Sequence, residues 1–165
     1  MIQINIGDHR GSEFGSAFTA IPTRYRDDFR WARQRAIWIT NNIATADPYF
    51  RSLPRRRTLT NLLADNTIWI NYDGSTTAYG YTYQNKNLWV GRPAMVIGRW
   101  TILATIIHEL AHIGGAIGGA TTCSAFSASC HAAERAVLEC GMGKRSEMRT
   151  RTDDPATPYD PNIIG

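Results

Sequence analysis

The sequence is poor in lysine, histidine and cysteine, and it has no long apolar run. No stretch approaches the roughly 18 apolar residues that cross a bilayer, so no membrane span is expected. The opening Met1–Arg10, Met-Ile-Gln-Ile-Asn-Ile-Gly-Asp-His-Arg, lacks the basic start and apolar segment of a secretory signal. The expected location is outside the producing cell, reached by a route that needs no signal peptide or by delivery into a target cell. A cytoplasmic location is the alternative. Cys123, Cys130 and Cys140 are odd in number and lack CxxC spacing, which argues against a cysteine-rich zinc knuckle. They read either as a Cys123–Cys130 disulfide with Cys140 free, suited to an exported protein, or as three small buried hydrophobes. Charged residues are only 19% against 43% apolar, which excludes a disordered chain.

What is present suffices for one core. The 165 residues fit a single domain, 1–165, with a polar, proline-bearing stretch from about 144 to 165 expected as an extended tail. Net charge is +4 and rests on arginine, since Lys86 and Lys144 are the only lysines. Arg24, Arg26, Arg30, Arg33 and Arg35, then Arg55, Arg56 and Arg57, read as an exposed basic face. They also support an alternative function, a nucleic-acid-associated zinc protein with a structural or repair-protease role.

Periodicity gives the elements. Residues 1–22 read as a short strand or arm. Apolar residues at helical spacing from Tyr25 to Ile43 predict a helix over Thr23 to Ala46, capped by Thr23 and stopped by Asp47-Pro48. A short helix is expected over Thr58 to Asp65. Period-two stretches at Thr67–Tyr72, Thr76–Tyr83 and Leu88–Gly91 predict a small antiparallel meander, with Tyr79, Tyr81 and Tyr83 on one face as core packing. A buried helix follows over about 97–114, then a small-residue loop. A last helix, Cys130–Glu139, ends at Cys140-Gly141. The fold class is α+β.

His108-Glu109-Leu110-Ala111-His112 is the strongest chemical signal. Histidines at i and i+4 stand on one helical face and can both reach one metal ion. Glu109 sits at the edge of that face, where it can take a proton from a zinc-activated water without being a ligand. At this chain's composition a chance HExxH is on the order of one in several hundred. Two His and a Glu in an apolar helix would also be costly to bury without partners. A third ligand is offered by His131-Ala132-Ala133-Glu134 beyond the Gly-rich loop; spacing leaves His131 and Glu134 both open. His9 is remote, and Glu139 reads as a solvated charge.

The motif, with a glutamate on the following helix, resembles the zincin metallopeptidases and their glutamate-ligand branch. Ala104–Ala116, with His131–Glu134 and Cys140-Gly141, is similar to small metallopeptidase toxin modules of bacterial secretion systems. The resemblance implies Zn²⁺ held by His108, His112 and Glu134, and a carboxylate ligand also halves the metal's charge in a poorly solvated site. Glu109 would then be general base, and His131 would lie near the substrate oxyanion, with Arg135 and Tyr159 as other candidates for that role. It implies a zincin-like fold in which the meander packs on the N-terminal helix and two metal-bearing helices, with an edge strand pairing with a peptide. The partners implied are a protein or peptide substrate and an immunity or delivery protein, with no need for nucleic acid. Position 138 departs from the branch: it is Leu where an acidic residue often orients a metal-bound His, so that partner must come from elsewhere.

Overall fold

The computed structural model describes residues 1–118, 131–143 and Asp153. Its sheet has four strands, β1 (Gln3–Ile4), β4 (Trp69–Asp73), β5 (Gly80–Thr82) and β6 (Asn87–Gly91), in the order β1-β4-β6-β5. β1 and β6 both run parallel to β4, and only β5 is antiparallel, at the edge. The expected antiparallel meander is therefore corrected to a mixed sheet. The reason is burial: Leu88, Trp89 and Val90 of β6 are fully buried, whereas β5 is only half-buried throughout. The more apolar strand takes the centre, as a strand covered on both faces requires. The expected strand from Thr76 shrinks to three residues, because Asp73 Oδ1 accepts bonds from Ser75 and Thr76 and winds the chain into a turn first.

One face of the sheet, with Ile4, Ile70, Leu88 and Val90, packs on helices. These are α1 (Arg26–Asn42), α2 (Ala46–Ser52), α3 (Leu59–Ala64), α4 (Arg92–Ile97), α5 (Arg99–Ile113) and α6 (Ala132–Glu139). Their buried apolar residues join in one core cluster. α1 starts later than expected, since Thr23 opens a 3₁₀ turn and makes no capping bond. It also stops earlier, at Asn42. Pro48 does not terminate it but lies in the first turn of α2, where a missing N–H has no helical partner to lose. α3 begins as expected, with Thr58 and Asn61 forming a reciprocal capping box.

The other face is covered by the N-terminal arm, which contains a hairpin of β2 (Ser12–Glu13) and β3 (Ser16–Ala17). Beneath it, His9 is sandwiched between Phe18 and Trp69, each ring centroid 4.3 Å away. Trp89 donates to Ala17 O and stacks on Tyr81. Tyr83 is 42% exposed, so the tyrosine alternation is only partly core packing.

Candidate metal centre

α5 carries the HExxH run, and every residue from Thr101 to Ile113 is buried. The expected 97–114 helix is split at Gly98, whose φ of 142° breaks off α4. The exposed N–H of Trp100 then donates to Asp153 Oδ1 at 2.8 Å, so a residue of the C-terminal stretch satisfies an orphan donor at the start of α5. At the other end the backbone closes a Schellman turn. Gly115, at φ 101°, donates to His112 O, and Ala116 N donates to Ala111 O.

That turn has a chemical consequence. It brings Ala116 O to 3.0 Å from His112 Nδ1. The carbonyl can only accept, so Nδ1 carries the proton and Nε2 presents a lone pair. Ala116 thus supplies the orienting partner that Leu138 cannot. His112 Nε2 lies 3.1 Å from His108 Nε2. Two nitrogens held at about 2.0–2.1 Å by one tetrahedral ion would stand roughly 3.3–3.4 Å apart, so the pair is spaced as two ligands of one ion. Burial, and for His108 also the neighbouring His112, pushes both imidazoles below their usual pKa, toward the neutral form that ligates.

Glu109 lines a cleft of about 220 Å³ with His112, Gly80, Tyr81 and Thr82. Burial, with Glu134 as a second cause, pushes its carboxyl up to about 8. Among the described residues Glu109 Oε2 has no hydrogen-bond partner. Glu134, in the first turn of α6 and 1% exposed, brings Oε1 to 3.8 Å from His108 Nδ1. Ala133 and Ala136 are buried beside it and let the helices approach. The two imidazoles, buried and close together, with Glu134 beside His108, supply N and O donors of the kind a divalent cation takes. The third side of that set is looser. Glu134 stands off at 3.8 Å from His108 Nδ1, and among the described residues no three His, Cys, Asp or Glu side chains form a closed cluster.

His131 directly precedes α6 and its Nδ1 is shielded from solvent. Arg135 does not fit the oxyanion role. It is more than half exposed and pairs with Glu139 at 2.6 Å, which also removes Glu139 from the freely solvated class. Tyr159, Cys123 and Cys130 lie outside the described residues; Cys140 is a buried free thiol. His9 is bonded to Asn87 on the far face of the sheet.

The edge strand runs beside α5. Gly91 N donates to Tyr79 O, so Tyr81 and Trp89 are the next hydrogen-bonded pair, and the N–H and C=O of Gly80 and Thr82 point away from β6. Arg55, read from sequence as part of a solvent stripe, instead joins strand and helix. Its Nη1 donates to Gln84 O and Ile113 O, and its backbone N–H to Gly114 O. Its role had no local signal, because both acceptors are distant main-chain carbonyls. Several of the other arginines are also engaged within the chain. Arg33 donates to Ile2 O, Arg35 lies over Trp38, Arg30 pairs with Asp27 and Arg57 with Asp65.

Comparison of the chain with protein-family models, with curated proteins and with solved structures found no match. Among the described residues no helix is long and apolar enough to cross a membrane.

Proposed function

We propose that this chain is a zinc-dependent endopeptidase with Glu109 as general base. The observation that carries the reading is the convergence of His108 and His112 Nε2, 3.1 Å apart, with Glu109 in the cleft beneath an open edge strand. His108, His112 and Glu134 are the residues that would hold the ion. Zinc there supplies Lewis acidity, polarising a carbonyl and acidifying water.

The chain's own groups do the rest. The outward N–H and C=O groups of Gly80 and Thr82 pair with an extended peptide and lay its scissile carbonyl over Glu109. Glu109, as the carboxylate beside the ion site, accepts a proton from the attacking water and passes it to the leaving amine. His131 is the donor proposed for the developing oxyanion. The likeness of the HExxH segment to toxin modules extends the reading to a protein delivered to act on a target in another cell, with an immunity or delivery protein as partner.

The test is metal analysis together with hydrolysis of a denatured protein. One equivalent of zinc, lost on chelation together with cleavage, is the expected result. Glu109→Ala is expected to keep the zinc and lose hydrolysis. Retention of more than a few per cent of the parent rate by that variant overturns the general-base role.

A further inference from the structure

The cleft does not end at the metal site. Thr82 and Gln84 line both the cleft and an adjoining open recess of about 350 Å³, whose other walls are Phe14 and Tyr83. We infer that this recess is a specificity subsite taking an apolar side chain of the peptide substrate. The inference rests on the peptidase reading and adds to it which substrates are cleaved.

Three observations carry it. First, Phe14 is 77% exposed and holds a left-handed φ of 47°, a conformation disfavoured for a bulky residue. The two-residue β2–β3 turn sets that φ, with Gly15 at 85° beside it, so what calls for an occupant is the large ring kept in water beside the cleft. Second, the tip that bears it is clamped in place. Glu13 accepts from Asn85 and Asn87, at 2.7 and 2.9 Å, and Ser16 Oγ lies 3.0 Å from Tyr83 Oη. The Phe14 and Tyr83 rings lie 5.0 Å apart and form a fixed wall. Third, the strand's alternation fixes the direction. Tyr81 and Tyr83 both lie against Trp89, on the face away from α5. A substrate residue opposite Tyr83 projects its side chain to that same face, beside Phe14. Gly80 lies three residues back along the chain, roughly 10 Å in extended chain, so the subsite reads a residue about three positions from the scissile bond. The two largest walls are the Phe14 and Tyr83 rings, so the occupant is aliphatic or aromatic.

The experiment profiles cleavage of a peptide library by the zinc-loaded full chain. It then measures kcat/KM for matched peptides with Leu, Phe or Ser at the preferred position. The parent is expected to favour Leu or Phe over Ser by about tenfold. Phe14→Asn, which suits a left-handed turn, is expected to bring that ratio close to one. Phe14→Leu is expected to keep it. Library cleavage with no apolar preference two to four residues from the scissile bond overturns the subsite alone. A preference unchanged by Phe14→Asn does the same. Absence of any cleavage by the zinc-loaded parent overturns the peptidase reading, and the subsite with it.

Discussion

Gly80 and Glu109 stand so close that a Cβ on Gly80 would lie 3.3 Å from Glu109 Oε1. It would also fall 2.5 Å from Thr105 Cγ2 and 2.7 Å from Trp89 O. The edge strand can therefore lie against α5 only with glycine at this position. Gly80→Ala is expected to push the strand outward or turn the carboxylate. Overpacking of this kind costs about 1–3 kcal/mol, and misplacing the base should lower kcat about 100-fold while zinc content stays at the parent level. Thermal unfolding, zinc analysis and kinetics on one preparation check all three.

Glu109 should also cost the metal-free fold stability. Its folded pKa of about 8 lies above the unfolded value near 4.3. The folded state therefore binds more protons between those values, and stability falls as pH rises through that window. Glu109→Gln removes the penalty. With metal chelated, its Tm is expected to exceed the parent's by several degrees at pH 8 and to converge with it near pH 4. Equal Tm values at pH 8 would contradict the burial argument.

The choice of third ligand separates Glu134, in the first turn of α6, from His131, its N-cap residue. Glu134→Ala is expected to lose the zinc, whereas His131→Ala is expected to keep it and lose part of kcat. Zinc stoichiometry by elemental analysis decides between them, and the reverse pattern makes the site a three-histidine one.

Asp65 gives a prediction away from the site. Burial pushes its carboxyl up, but bonds from the Thr67 side chain and backbone and from Arg57 outweigh this and hold it at about 2. A depressed carboxyl stabilises the fold above its unfolded value and loses that contribution as pH falls toward 2. Asp65→Asn is expected to cost about 1 kcal/mol at pH 7 after solvent screening, with the difference shrinking below pH 4. Urea titrations at the two pH values measure it.

Helix α5 and the placement of its motif were legible because they are local: His108, Glu109 and His112 lie within two turns, and helical periodicity alone sets their faces. α3 was legible for the same reason, its cap being written in Thr58 and Asn61. The sheet order was not, because alternation at Trp69–Asp73 and Asn87–Gly91 marks strands without saying which neighbour each takes. Arg55 and Ala116 were missed because each acts through a main-chain carbonyl. Gly80 stood out in no way within the Thr76–Tyr83 strand; its need for the missing Cβ comes from Thr105 and Glu109, which the chain reaches more than twenty residues later.

The parallel pairing of Gln3 with Trp69 also sets a timetable for assembly. Contacts across this pair of strands, such as Asn5 with Asn71, join residues 66 positions apart, and long loops must close before such contacts stabilise anything. β6 follows β4 in the chain, and α5 follows β6. During synthesis the first strand must therefore wait for nearly half of the protein before it has a neighbour, and His108 and His112 emerge only after the sheet's last strand. The His108–His112 site is the late product of a non-local fold. Refolding should accordingly be slow for a chain of this size, and the partly folded chain should expose a strand edge to other copies until β6 docks.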